Sequence, residues 1–222
     1  MGRVIAVLGG SGGVGASSFA AVLAAVTGPS LLIDLDVSGG GIDVALGIES
    51  VAGARWSGLH VAGGHLEPAV LAEGLPRWGP VAVLAADVAA LDAEAVLQVL
   101  PAARGTGRVV LDLPRAAGPE RAAALVHCDL VVLLTRGDVS GLVAAHAVAA
   151  ALPELPAGVV VRRGEVDPRD AAELVGCPLL GTLPALDGSP FDLDPYRLPK
   201  AAARVAAGVL RGMVASPVGA DR

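Results

Sequence analysis

The chain has 222 residues, of which 54% are hydrophobic and 2% aromatic, and its formal net charge is −6. This length and apolar content suffice for one domain with a full core, and the charge excludes a protein that coats nucleic acid through a broad basic face. No apolar stretch reaches the ~18 residues that a transmembrane helix needs, so we expect a cytoplasmic protein.

Apolar runs alternate along the chain with alanine-rich segments of helical length. The runs predict strands covered on both faces at Val4–Leu8, Leu31–Ile33, Val81–Leu84, Val109–Leu113, Leu130–Leu134 and Val159–Val161. The segments predict helices at Ser17–Val26, Ile42–Leu46, Leu91–Ala103, Pro119–Val126, Ser140–Leu152, Pro168–Val175 and Lys200–Val214. This order predicts an α/β fold with a single doubly wound, mainly parallel sheet and helices on both faces, in one domain over 1–215 before a flexible tail at 216–222.

A glycine-rich loop joins the first predicted strand to the first predicted helix. It fits a deviant Walker A phosphate loop, whose backbone N–H groups surround a phosphate at the positive end of a helix. Ser11 and Ala16 occupy the two lysine positions of that pattern, and the only lysine of the chain is Lys200. Each missing lysine weakens nucleotide binding by about tenfold to a hundredfold. The predicted nucleotide-binding residues are Ser11, Gly12, Gly13, Val14, Gly15, Ala16, Ser17 and Ser18, and the Ser17 hydroxyl is placed for Mg²⁺.

The same glycines also fit a dinucleotide fingerprint, with the acidic Asp34 about 20 residues further on. This leaves an NAD(P)-dependent short-chain oxidoreductase as an alternative, since Tyr196 and Lys200 form a Tyr-x-x-x-Lys. Pro199 interrupts that helical turn, and the chain has no asparagine for the Asn-Asn-Ala-Gly element of those enzymes. We therefore interpret the Tyr-x-x-x-Lys as a coincidence.

Aspartates stand at the ends of two predicted strands. Asp34 and Asp36 follow the second strand, and Asp112 lies at the end of the fourth, where a Walker B acid belongs. Acids at adjoining strand ends converge beside the loop, where Mg²⁺ collects oxygen ligands. The structural alternative is that each aspartate only caps the turn that follows it. Because the loop and both acidic elements occur in the required order, we favour the phosphate site.

These elements together resemble the MinD/ParA superfamily, and within it the CpaE/TadZ branch with its CpaE-like septum site-determining proteins. The similar segments are 12–17, 34–49, 54–56 and 112–115. The resemblance implies a P-loop ATPase that dimerises around nucleotide and positions cell machinery, in Tad pilus assembly or at the division septum. It implies ATP and Mg²⁺ as cofactors, with Ser17, Asp34 and Asp112 at the metal and Asp36 orienting the attacking water.

The absent lysines imply weak or lost hydrolysis, and a degenerate scaffold that binds no nucleotide remains an alternative. Expected partners are a second copy of the chain and proteins of the pilus, secretion or division machinery, with membrane contact at most peripheral. Expected locations are the cytoplasm, the cell pole, the septum and the inner membrane surface. We interpret Arg162, Arg163 and Arg169 as solvated surface charge. Arg115, just after the Walker B strand, is a hypothetical substitute for a lysine, although we favour a surface salt bridge for it.

Overall fold

A computed structural model of the chain describes residues 2–59, 66–88, 91–185 and 193–215. Its strands are β1 Val4–Gly9, β2 Ser30–Asp34, β3 Arg77–Trp78, β4 Val81–Leu84, β5 Arg108–Leu113, β6 Leu130–Arg136, β7 Ala157–Arg162 and β8 Leu179–Leu183. Its α-helices are α1 Ala16–Val26, α2 Ile42–Ala45, α3 Pro68–Glu73, α4 Ala93–Gly105, α5 Pro119–Leu125, α6 Val139–Ala150, α7 Pro168–Val175 and α8 Lys200–Ala215. A short 3₁₀ helix covers Trp56–Gly58.

The predicted doubly wound sheet is confirmed. The strands form one eight-stranded sheet in the order β3-β4-β2-β5-β1-β6-β7-β8, and all pairings are parallel except that of β3 with β4. Buried side chains fill both faces, one against α4 to α7 and the other against α1 and α8. The sheet is parallel because its strands are apolar on both faces and therefore need helices on both sides.

Every predicted strand and helix is present; Val81–Leu84 and Pro168–Val175 have the predicted bounds, and the other elements have one or both ends displaced by one to a few residues. The strands β3 and β8 and the helix α3 are not predicted, because β3 has only two residues and β8 is a half-buried edge strand with a glycine inside it. The start of α6 is set by Asp138, whose carboxylate accepts a hydrogen bond from the Gly141 amide at 2.7 Å. The predicted tail at 216–222 lies outside the described residues.

The last described helix, α8, packs on the sheet. Ala206, Val209 and Met213 are buried against the α1 face, whereas Arg204 and Arg211 are exposed. Within the described part of the chain, no helix combines the length and the apolar character that crossing a bilayer requires.

Strand β1 lies in the middle of the sheet, between β5 and β6. The chain order reverses at this point, so helices leave the carboxyl ends of neighbouring strands toward opposite faces and a crevice opens between them. Asp112 of β5 pairs with Asp34 of β2 on one side and with Val7 of β1 on the other. The fold therefore brings the glycine loop and two acidic strand ends to one edge of the sheet.

Candidate functional site

The glycine loop after β1 leaves its amides accessible at the start of α1. Gly15 is the N-cap of α1 in the left-handed conformation, with φ 82°, and no side chain caps the helix. A Cβ added to Gly12 or Gly13 would meet no atom within 4 Å, whereas Val14 is buried in the core and anchors the loop. An uncapped helix start beside open backbone is an anion-binding arrangement.

Ser11 occupies one of the two lysine positions, and its hydroxyl has no hydrogen-bond partner in the described part of the chain. The Ser11 Oγ is buried and forms no hydrogen bond in the described structure. A buried hydroxyl without a partner is unfavourable and is typical of a site whose ligand completes the bonding. Ser11 therefore has an unused hydrogen-bonding group inside the loop, although it cannot supply the missing charge.

Ser17 and Asp112 lie next to each other beside the loop. The Ser17 hydroxyl is hydrogen-bonded to the Asp112 carboxyl, which is only 3% exposed. Burial raises the pKa of Asp112 from 3.8 to about 8, and the neighbouring charges of Asp34 and Asp36 act in the same direction. The Ser17 hydrogen bond lowers this pKa without cancelling the effect. A proton therefore occupies Asp112 at neutral pH unless a cation replaces it.

Asp34 has a different environment, because its carboxylate is engaged by the backbone. Its Oδ1 accepts from the Asp36 amide at 2.9 Å, and its Oδ2 accepts from the amides of Ile42 at 2.9 Å and Ala86 at 3.4 Å. Burial raises the pKa of Asp34 to about 6 against the lowering effect of these bonds. Asp34 thus bonds to the first residue of α2, which is the structural role that the sequence left as an alternative. It also lies next to Asp112 on the neighbouring strand.

Asp36 follows Asp34 by two residues and is half-buried. Its Oδ1 accepts from the Ser38 amide at 3.1 Å, and its carbonyl accepts from the Gly39 amide at 3.0 Å. These bonds hold Asp36 in a tight turn above β2. Its negative charge reaches both other aspartates, since it contributes to the raised pKa of each.

The three aspartates and Ser17 fit a hydrated Mg²⁺ better than a metal held by protein alone. Asp34, Asp36 and Asp112 form no ion pair among the described residues. Nowhere in the described part of the chain do three or more His, Cys, Asp or Glu side chains come together in a group that could hold a metal ion by themselves. Because Mg²⁺ keeps several waters and takes one or two carboxylates together with phosphate oxygens, a serine and an aspartate are a suitable partial ligand set.

The glycine-rich segment after Asp36, which the sequence leaves largely unassigned, is ordered by two side chains. The Arg55 guanidinium bonds to Asp43 at 3.2 Å and to backbone carbonyls between 48 and 53. The Trp56 indole N–H donates to the Asp34 carbonyl at 2.8 Å. The segment is therefore tied back to the acidic strand end, and Arg55 and Trp56 position the site without being predicted to do so.

Arg162 is the residue whose predicted role is wrong. It is half-buried at the end of β7, and its Nε donates to the Val14 carbonyl of the glycine loop at 2.6 Å. By contrast, Arg163 and Arg169 are exposed as predicted. Arg162 and Val14 are 148 positions apart in the sequence, so no local pattern could have revealed this contact.

The geometry separates Tyr196 from the glycine loop. Tyr196 is 80% exposed, and its Cζ lies 3.4 Å from where a Cβ of Gly79 would be, just before the amino end of β4. The loop lies at the carboxyl end of β1, at the opposite edge of the parallel sheet. A short-chain dehydrogenase needs both features at one site, so the coincidental interpretation of the Tyr-x-x-x-Lys is favoured.

Solved structures share this architecture over nearly the whole chain. A ParA family ATPase from Chlorobium tepidum superposes with a TM-score of 0.67 at 15% identity, covering 97% of this chain and 93% of that one. MinD in the MinC:MinD complex of Aquifex aeolicus gives 0.68 at 18% identity, covering 99% and 98%. MinD of Pyrococcus horikoshii complexed with Mg-ADP gives 0.61 at 18% identity, covering 96% and 93%.

The chain has the MinD/ParA ATPase fold. In sequence it is 41% identical over 194 residues to an uncharacterized protein found in two strains of Mycobacterium tuberculosis. The match takes in 83% of this chain and 55% of the relative, so the chain spans about half the length of the curated relatives it matches. No family model matches the chain. The glycine loop, Ser17 and Asp112 meet at the central crevice of this MinD/ParA fold.

Proposed function

We propose that this chain is a nucleotide-binding positioning protein that takes ATP with Mg²⁺ in a lysine-free loop and hydrolyses it weakly or not at all. The observation that carries the proposal is the juxtaposition of the open, uncapped loop with the Ser17–Asp112 pair. Loop amides bind phosphate oxygens, and Ser17 and Asp112 hold Mg²⁺ with Asp34 behind them. The structure of a MinD complexed with Mg-ADP supports the choice of ligand.

Bound Mg²⁺ would neutralise phosphate charge and draw Asp112 into its carboxylate form. Asp36 is the residue proposed to orient a water, but the loop offers no lysine to stabilise the charge that develops during phosphoryl transfer. Binding without efficient turnover suits a protein whose output is contact with other proteins. We propose that the chain forms a homodimer and belongs to the CpaE-like branch, acting in Tad pilus assembly or at the septum.

The first test is calorimetric titration with ATP·Mg²⁺, ADP·Mg²⁺ and NADH. We expect ATP·Mg²⁺ binding that weakens in Asp112→Ala. We expect Ala16→Lys to tighten it by about tenfold to a hundredfold, because it restores a charged contact to phosphate. Ala147→Lys, on the exposed face of α6, adds the same charge elsewhere and is the matched control. Binding of NADH alone would favour the oxidoreductase, and no binding of any ligand would favour the scaffold without nucleotide.

Hydrolysis is tested separately by phosphate release from ATP. The wild type is expected to release phosphate slowly or not at all, and efficient turnover by the wild type would contradict the proposal. Light scattering with and without ATP·Mg²⁺ measures whether a dimer forms and whether nucleotide is required for it.

A further inference from the structure

The Arg162 guanidinium rests against the backbone of the phosphate loop. Its Nε donates to the Val14 carbonyl at 2.6 Å, and its Nη1 donates to the Pro184 carbonyl at 3.2 Å. Its Nη2 lies 2.8 Å from the point where a Cβ of Gly15 would be. The side chain therefore occupies the space that the glycine at the N-cap of α1 leaves free.

Among the residues that the structure describes, no carboxylate pairs with the positive charge of Arg162. Its β6 register partner Arg136, in contrast, pairs with Asp138 at 2.9 Å. Burial lowers the pKa of Arg162 from its ordinary value, because removal from water disfavours the charged form. A half-buried guanidinium bonded only to carbonyl oxygens would be stabilised further by a nearby anion.

The loop itself lacks a cation. Ser11 and Ala16 stand where lysines belong, and the only lysine of the chain, Lys200, is exposed at the start of α8. A nucleotide phosphate bound by amides alone would keep most of its charge in a partly buried crevice. Arginine suits the missing role because it stays charged and its planar group presents several donors in fixed directions.

We propose that Arg162, carried to the loop by β7, supplies in cis the positive charge that the loop's own sequence lacks and thereby binds the nucleotide phosphates. The proposal rests on the proposed function, since it assigns a residue to that same site. One Arg162 hydrogen bond ties the side chain to the loop at Val14 and a second ties it to Pro184, and its Nη2 has no hydrogen-bond partner among the described residues and is therefore available to a phosphate. This explains how a lysine-free loop keeps affinity for a polyanion.

The test compares two neighbouring arginines by titration with ATP·Mg²⁺. Arg162→Gln removes the charge at the loop, and Arg163→Gln removes the same charge from an exposed position one residue further on. We expect Arg162→Gln to weaken binding by about tenfold to a hundredfold, as for the loss of a charged hydrogen bond. We expect Arg163→Gln to change it by less than about twofold, because exposed charges contribute little. Arg162→Lys keeps the charge and should retain part of the affinity.

Two further measurements distinguish whether Arg162 acts through its positive charge or only supports the structure of the loop. Adenosine carries no phosphate, so its binding should be equal in the wild type and in Arg162→Gln. The double variant Arg162→Gln, Ala16→Lys brings a cation back from within the loop and should recover ATP affinity. Thermal melting of each variant confirms that it is folded.

The outcomes distinguish this inference from the proposed function. If the wild type binds ATP·Mg²⁺ and Arg162→Gln behaves like Arg163→Gln, the inference is overturned and the proposed function stands. Equal losses for ATP and adenosine, or no recovery on adding Ala16→Lys, also overturn it, because they identify Arg162 as a support for the loop. If the folded wild type does not bind ATP·Mg²⁺, the proposed function fails and the inference fails with it.

Discussion

Replacing Asp112 with asparagine should stabilise the protein at alkaline pH and leave its stability unchanged near pH 4. In the folded chain, burial and then the charge of Asp34 raise the pKa of Asp112 from 3.8 to about 8. The unfolded chain releases this proton near 3.8, whereas the folded chain keeps it to about 8, so the folded state binds more protons in between. The free energy of unfolding therefore falls as pH rises through this window.

The magnitude follows from the width of the window. Between pH 5 and pH 8 the folded protein retains the proton over about three pH units, and each unit corresponds to about 1.4 kcal/mol, which gives a ceiling of about 4 kcal/mol. For a chain of this size each kcal/mol moves the melting temperature by about 2–4 °C, so the wild type should lose up to about 8–16 °C relative to the variant. Asp34, with a pKa raised to about 6, adds a decline of the same sign that ends near pH 6.

The assay is calorimetric or circular-dichroism melting of the wild type and Asp112→Asn from pH 5 to pH 9, with a chelator present so that no divalent cation masks the carboxylates. Glu173→Gln, at an exposed position of α7, removes one negative charge and serves as the control. It should follow the wild type at every pH. A wild-type melting temperature that is constant between pH 6 and pH 8, or the same slope in Asp112→Asn, would refute the reasoning.

Three further changes test other parts of the site. Gly15→Ala should lower the free energy of unfolding by at least about 1–2 kcal/mol, because alanine is strained at φ 82° and its Cβ would lie 2.8 Å from Arg162 Nη2. The control Gly12→Ala has open space around the added Cβ and should have nearly the melting temperature of the wild type. Trp56→Phe should lower the free energy of unfolding in urea by about 1–3 kcal/mol, since the buried Asp34 carbonyl loses its donor. Ser17→Ala should raise the pKa of Asp112 further, because the lost hydrogen bond favours the ionised form, and an NMR titration of the carboxyl carbon would show an unchanged or lower pKa if this is wrong.

The sequence predicted the secondary structure well because the signals are local. Val81–Leu84 and Pro168–Val175 have the same bounds in the sequence-based prediction and in the structure, since an apolar run flanked by turns and a proline-led helix carry their own boundaries. The strand β8 carried no such signal, because Gly181 interrupts it and only its pairing with β7 makes it a strand. The domain boundary at 215 and the tail remain predictions.

The order of residues along the chain by itself determined that a glycine loop, Ser17, Asp34 and Asp112 would meet, because parallel strands place their carboxyl ends at one edge. It also determined that the loop has no lysine. Only the tertiary structure decided how these groups differ. In the folded chain, three backbone amides donate to Asp34, whereas Asp112 is buried beside Ser17. Arg162 bonds to Val14, which is 148 positions away in the sequence. Burial and long-range hydrogen bonds depend on what packs around a residue, and no local pattern encodes that.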